Sequence, residues 1–331
     1  MIPANFPALL QRFFTDRLLS QLGASPHTVA SYRDTFRLLL AYASKHVGRE
    51  PSQLRVEDLD AALLGAFLNH LEHERANTPK TRNTRLAALR AFFRFVAYTE
   101  PACSLQCQRI LAIPTKRHER RPVEFLTEEE TAALVAAPDP TTWIGRRDRT
   151  LLLVAVQTGL RNAEIRSLRH RDVGLGVGAH VRCLGKGRKM RCTPLRRDVA
   201  AALESWLVER RGDPDDPVFP SSRSGFLSAD ALQKLVAKHV VAASATCSSL
   251  VGRSITPHTL RHTTAMTLLR GGVDQTMIAL WLGHESVETT QIYLHADMRL
   301  KEQALRFADP SGAAPARFRP KDRLLAFLES L

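Results

Sequence analysis

Six polar residues run in order through the last two thirds of the chain: Arg161, Lys186, His258, Arg261, His284 and Tyr293. Together they carry the groups needed to exchange a phosphodiester without a metal ion or cofactor. Arginine and lysine grip phosphate oxygens, and histidine moves protons near neutral pH. A phenol becomes a nucleophile when a base or nearby positive charge activates it. Each residue alone has a blander reading, as a surface cation, a core histidine or a tethered core tyrosine. The weight lies in the set.

The local sequence places each member. In TPHTLRHTTAMTLLRGG, Thr256 is the expected N-cap, Pro257 the first helical residue and Gly271 the stop. His258, Arg261 and His262 then share one face of the first turns, where a helix N-terminus favours a bound anion. A metalloprotease zinc pair would need glutamate directly after the first histidine, and that position is Thr259. His262 by itself reads as a buried histidine satisfied by backbone. Arg161 follows the Gly159 turn in TGLRNAEIRSL and opens a new helix, with Glu164 one turn on to steady its guanidinium. Lys186 sits in GKGRK, between two strand-like runs that read as a β-hairpin. The loop lacks Walker spacing, and the Gly174, Gly176, Gly178 run lacks the strand–helix setting of a dinucleotide site. In DQTMIALWLGHESVETTQIY, Asp274 caps a helix that Gly283 ends. His284 then falls in a tight turn, and Tyr293 lies two turns into the next helix.

The elements around these residues form two units. Helical patterns run from Phe6 to about Val47, with Ser25 and Pro26 as a start signal, then over about Val56–Arg75 and Thr78–Tyr98. The last of these carries Lys80, Arg82, Arg85, Arg90 and Arg94 opposite a buried stripe of Leu86, Leu89, Phe93 and Val96. No glutamates stand four residues away to pair the cations, which marks it as a DNA-facing helix. Residues 1–105 form a helical domain, and 106–123, basic and proline-containing, read as a linker. Residues 124–308 form a mostly helical second domain with one small antiparallel sheet, opened by a Thr127–Glu130 capping box. Residues 309–331 are a tail with an apolar stripe of Leu324, Leu325, Leu328 and Leu331. The fold class is thus mainly α with a small antiparallel β-sheet.

Composition agrees. The 47 Lys and Arg against 33 Asp and Glu leave a net charge of +14 in 331 residues, which suits a polyanionic partner such as double-stranded DNA. The sequence holds no apolar run of membrane-spanning length and no signal peptide, so a cytoplasmic, nucleoid-associated protein without a membrane partner is expected. Five cysteines, odd in number and scattered, argue against a disulfide framework. Cys103 and Cys107 lack a second pair for zinc. Cys183 and Cys192 are expected to face each other across the hairpin as small thiols.

TGLRNAE, LGKGRK, HTLRH and LGHESVETTQIY, in this order, resemble the tyrosine recombinase (phage integrase) family over nearly the whole chain. The resemblance implies a helical, SAM-like core-binding domain followed by an α+β catalytic domain. Because the core-binding helices begin at the N-terminus, it is closest to the simple two-domain type found on bacterial mobile elements. The family's arginines match Arg161 and Arg261, its lysine Lys186, its histidines His258 and His284, and its nucleophile Tyr293. Combined with the physical reading, this implies that Arg161, Arg261 and His284 hold the scissile phosphate while Tyr293 attacks. His258 accepts the phenolic proton and Lys186 protonates the departing 5′-oxygen. A 3′-phosphotyrosine results, with no cofactor and no metal. The implied assembly is a homo-tetramer on two DNA sites, with itself or with related recombinases, serving integration, excision or transposition. The alternatives are a type IB topoisomerase-like strand relaxer and a catalytically inactive DNA-binding or architectural protein on the same fold. A metal-dependent nuclease would need paired carboxylates, and the motifs hold none.

Overall fold

A computed structural model of the chain describes residues 5–118, 123–185, 190–222, 225–284, 289–290 and 293. These divide into two compact units, Met1–Arg120 and Arg121–Leu331.

The first unit is all helix. α1 (Phe6–Arg12) runs on into a π-type segment, Phe13–Gln21. α2 (Pro26–Val47) starts where expected, with Ser25 Oγ accepting from the Thr28 N–H and Pro26 at the first position. α3 (Ala61–His73) begins later than the pattern suggests, because Asp60 caps it after a separate 3-10 turn at Val56–Asp58. α4 (Pro79–Thr99) is capped by Thr78. Phe92 anchors the core, meeting Phe6, Phe13 and Phe36 edge-on at centroid distances of 5.6, 5.4 and 5.2 Å. Such pairs add directional attraction to the burial of large apolar rings. Leu86, Leu89, Phe93 and Val96 are all fully buried, as their spacing predicts.

The basic face of α4 divides in a way that periodicity does not reveal. Arg82 is buried, donating to the Pro114 carbonyl at 3.0 Å with Glu72 beside it. Arg85 donates to the Ser31 carbonyl and to Thr35 Oγ1, and Arg90 donates to the Ile113 carbonyl. These three arginines therefore brace the unit from within, correcting the reading of a continuous cationic face. Lys80 and Arg94 remain exposed. The expected linker also begins too early. Residues Ser104–Leu111 form α5, with Cys107 and Ile110 buried in the same core.

In the second unit α7 (Trp143–Thr158) is central, packed against α6 (Glu128–Ala136), α9 (Arg197–Arg210) and α11 (Pro257–Arg270). The Thr127–Glu130 capping box is present. After α8 (Asn162–Ser167) come β1 (Val173–Gly174), β2 (His180–Leu184) and β3 (Met190–Pro194), paired antiparallel in that order. Cys183 pairs with Arg191 and Arg182 with Cys192, so the two cysteines are offset by one residue. Cys183 is buried and Cys192 exposed, which rules out facing thiols. α10 (Ala229–Ala243) packs on α6 and α8. α12 (Gln275–Leu282), capped by Asp274, packs on α11 and closes a small core of Ala265, Met266, Leu269, Ile278, Leu282 and Tyr293. Lys186, expected at the tip of the hairpin, most of the expected last helix and the tail lie outside the described residues.

Candidate active site

Two helix ends make the frame. α7 and α12 each stop at a glycine in the left-handed region, Gly159 (φ 63°) and Gly283 (φ 64°). A Cβ at Gly159 would stand 2.6 Å from Leu282 Cδ2, and one at Gly283 would stand 2.5 Å from Arg191 Nη1. Both positions thus need glycine for its backbone freedom and for the close approach. Carbonyls at helix C-termini lack intrahelical partners and carry partial negative charge, so they attract cations.

The two arginines of the motif use those carbonyls. Arg261, only 2% exposed, donates from Nη1 to the Gly159 carbonyl and from Nη2 to the Leu282 carbonyl, both at 2.7 Å. Burial, with Arg161 nearby, pushes its guanidinium down to about 10, still charged at neutral pH. Arg161 occupies the N-cap of α8 and donates from Nη2 to the Gly283 carbonyl at 2.7 Å. Its Nη1 donates to Glu164 Oε1 at 2.9 Å, so the steadying role read for Glu164 is met.

Glu164 has a second partner that the sequence reading missed. Arg191 donates to both of its carboxylate oxygens, at 3.0 and 2.8 Å. Burial alone would raise the Glu164 carboxyl, but hydrogen bonds and charge from Arg161 and Arg191 hold it below the usual range. A signal existed. Arg191 shares the inward side of β3 with buried Thr193, between exposed Met190 and Cys192.

The histidines and the tyrosine close the site. His284, in the turn after α12, pairs through Nδ1 with Thr290 Oγ1 at 2.8 Å. Tyr293 is 1% exposed, with its ring roughly parallel to that of His284 at 6.4 Å. Its hydroxyl lies 3.0 Å from His262 Nδ1. His262 in turn meets the ring of His258 edge-on at 4.2 Å. The partner of His262 is therefore the phenol, not the backbone. Burial, with His258 and Arg261 next, pushes His262 down to about 4. Burial, Arg261 and Arg161 likewise bring His284 to about 4. Both imidazoles are neutral at pH 7. Burial pushes the Tyr293 phenol up, against the pull of Arg261 and Arg161. The structure thus gathers Arg161, His258, Arg261, His284 and Tyr293 around one anion-seeking centre, and adds His262, Arg191 and Glu164. Among the described residues no group of three or more His, Cys, Asp or Glu has a metal-binding arrangement.

A helical domain with a small hairpin sheet, presenting fixed arginines beside a buried tyrosine, defines the DNA strand transferases that work through a tyrosine. The family comparisons agree. Residues 124–299 match the model of the phage integrase family, and residues 10–99 that of the phage integrase N-terminal SAM-like domain. The chain is 52% identical over 328 residues to a putative integrase/recombinase, y4rC, of Sinorhizobium fredii, covering 99% of each chain. It is 32% identical over 305 residues to the tyrosine recombinase XerC of Pelobacter propionicus, covering 92% of this chain and 96% of that one. Among solved structures, XerH recombinase bound to palindromic difH substrate in a post-cleavage complex superposes with a TM-score of 0.69. That match has 24% identity and covers 87% of this chain and 82% of that one. The chain belongs to the phage integrase family, and it is a site-specific recombinase of the tyrosine class.

Proposed function

We propose that the protein cuts and rejoins double-stranded DNA by attack of Tyr293 on a scissile phosphate, forming a 3′-phosphotyrosine. The observation that carries this reading is the position of the phenol, beside His262 and His284 and within the field of Arg261 and Arg161. Arg161 and Arg261 bind the non-bridging oxygens, and their fixed donors stabilise the charge that builds at phosphorus. His284 is held by its Nδ1 pairing with Thr290 Oγ1 at 2.8 Å, and in the tautomer that carries its proton on Nε2 it adds a third donor. The phenolic proton leaves through the histidine pair His258 and His262, and Lys186 protonates the departing 5′-oxygen. The phosphotyrosine keeps the energy of the broken bond, so a 5′-hydroxyl from a partner strand can reverse the step without a nucleotide cofactor.

Site-specific exchange requires two DNA sites, which a homo-tetramer would hold. The second unit has an apolar cleft of about 830 Å³, lined by Phe125, Leu126, Val135, Leu153, Met266 and Trp281. Its size and chemistry suit the Leu324–Leu331 stripe of a neighbouring protomer. Exposed Lys80 and Arg94 on α4 meet the DNA backbone, and the +14 charge draws the duplex in. The work is the integration, excision or transposition of a mobile element, carried out in the cytoplasm at the nucleoid. No described helix is long and apolar enough to cross a membrane.

The test is a nicked suicide duplex selected from the native replicon by binding. Wild type is expected to become covalently joined to the 3′ end of the cut strand, and Tyr293→Phe to bind without joining. Absence of the adduct from wild type would leave an architectural DNA-binding protein. Relaxation of supercoils without exchange between two marked duplexes would point instead to a strand relaxer.

A further inference from the structure

We propose that His262 is the immediate acceptor of the Tyr293 proton, and that arrival of the scissile phosphate switches it on. The proposal rests on the reading of Tyr293 as nucleophile and assigns its activation to a residue outside the six-residue motif.

Geometry comes first. His262 Nδ1 is 3.0 Å from the Tyr293 hydroxyl, hydrogen-bonding distance between the phenol and a titratable ring. The two rings sit edge-to-face at 5.5 Å. His262 follows Arg261 directly on α11, so the group that grips phosphate and the group that touches the nucleophile share one rigid turn. A neutral ring with its proton on Nε2 presents a free pair on Nδ1 to the hydroxyl.

The proton balance is simple. As Tyr293 Oη bonds to phosphorus, its O–H proton passes to Nδ1 and His262 becomes an imidazolium. The P–O5′ bond breaks, and the 5′-oxygen takes a proton from Lys186. In the reverse step a 5′-hydroxyl gives its proton to the neutral Lys186 amine as it attacks phosphorus, the phenolate departs and His262 returns the proton to it.

The charges around the ring make this step conditional. Among the described residues, His262 is faced by His258 and Arg261 from its own helix, by His284 from the turn after α12, and by Tyr293. Burial, with the Arg261 guanidinium and the neighbouring imidazoles against a further positive charge, makes the resting ring a poor base, so without DNA the phenol stays protonated. A phosphodiester seated on Arg161 and Arg261 brings a negative charge against the same groups. The imidazolium then becomes easier to form, and the nucleophile is activated only when its target is in place.

The full-length protein and the nicked suicide duplex supply the test. His262→Asn keeps an oxygen near the place of Nδ1 that can accept the hydroxyl hydrogen but cannot hold a proton. His262→Ala removes both. Both variants should bind the duplex as wild type does and form the phosphotyrosine about 100-fold more slowly or worse. Replacing Tyr293 by trifluorotyrosine, a more acidic phenol, should recover most of that loss in both variants. Adduct formation by His262→Asn within about threefold of wild type would reduce His262 to a hydrogen-bond anchor and overturn the proposal. Failure of the acidic phenol to restore either variant would overturn it as well. Should the alanine protein not fold, the asparagine arm decides. If wild type itself forms no adduct at Tyr293, the nucleophile reading fails and takes this proposal with it. Normal wild-type adduct with fully active His262 variants sinks the proposal alone.

Discussion

Replacing Glu164 by glutamine preserves shape and removes one charge at the centre of the cationic frame. Oε1 accepts from Arg161 Nη1 and Arg191 Nη1, and Oε2 accepts from the Arg161 backbone N–H and Arg191 Nη2. An amide nitrogen in place of either oxygen would point at two donors, so two hydrogen bonds are lost whichever way the side chain turns. Hydrogen bonds to charged groups contribute about 1.5–3 kcal/mol each, and breaking a buried ion pair costs about 3–5 kcal/mol. Glu164 is 5% exposed, which leaves little room for water to take its place. We expect Glu164→Gln to destabilise the second unit by about 3–5 kcal/mol, lowering its melting temperature by about 10 °C. All three tryptophans, Trp143, Trp206 and Trp281, lie in that unit, so intrinsic fluorescence reports its unfolding separately. Strand cleavage should fall as well, because Arg161 loses the partner that aims it. A loss below about 1 kcal/mol, within the range of an exposed pair, would refute the view that Glu164 holds the frame together.

Three further outcomes follow from the structure. His262 and His284 are lowered from 6.5 to about 4 on folding, so the unfolded chain binds more protons between those values. Stability is therefore complete above pH 6.5 and is lost as pH falls toward 4, by about 1–2 kcal/mol for each ring once solvent screening of these partly exposed groups is allowed for. Denaturant titrations followed by fluorescence at pH 7 and pH 5 should show it, and equal midpoints would contradict it. On α4, Arg82→Ala should destabilise the first unit by about 2–4 kcal/mol, read by circular dichroism. Arg94→Ala should leave stability within about 0.5 kcal/mol and lower the salt slope of DNA binding by about one.

Much of the frame was legible because it is local. Ser25, Thr78, Thr127, Thr256 and Asp274 all cap the helices they precede, and Gly159 and Gly283 end helices as glycines in the left-handed region do. The hairpin and the capped starts of α8 and α11 follow from the same short-range chemistry. What stayed hidden is chemistry between distant segments. Spacing puts Arg82 on the polar side of α4, but only the fold brings the Pro114 carbonyl to it from 32 residues away. The linker was misjudged because Cys107 and Ile110 are too few to show a period, although they fill a real hole in the core. His262 was set aside because its partner stands 31 residues downstream, on the segment that carries the nucleophile. Arg191 was overlooked because a basic hairpin looks solvent-exposed until its inward register is known.

The carbonyls that receive Arg161 and Arg261 have a consequence for how this enzyme tolerates mutation. Three main-chain oxygens, on Gly159, Leu282 and Gly283, fix the direction of both guanidinium groups. Substituting the residues that carry them removes no oxygen, so the donors and acceptors all survive on paper. What changes is aim. A Cβ at either glycine is strained by the left-handed backbone and stands under 3 Å from a packed side chain, so the helix end is pushed out of place and the phosphate seat, set by two such ends meeting, shifts with it. Inactivating substitutions should therefore include positions whose side chains never approach DNA, and a survey of variants would find the active site written into the backbone of two helix stops as much as into its charged side chains.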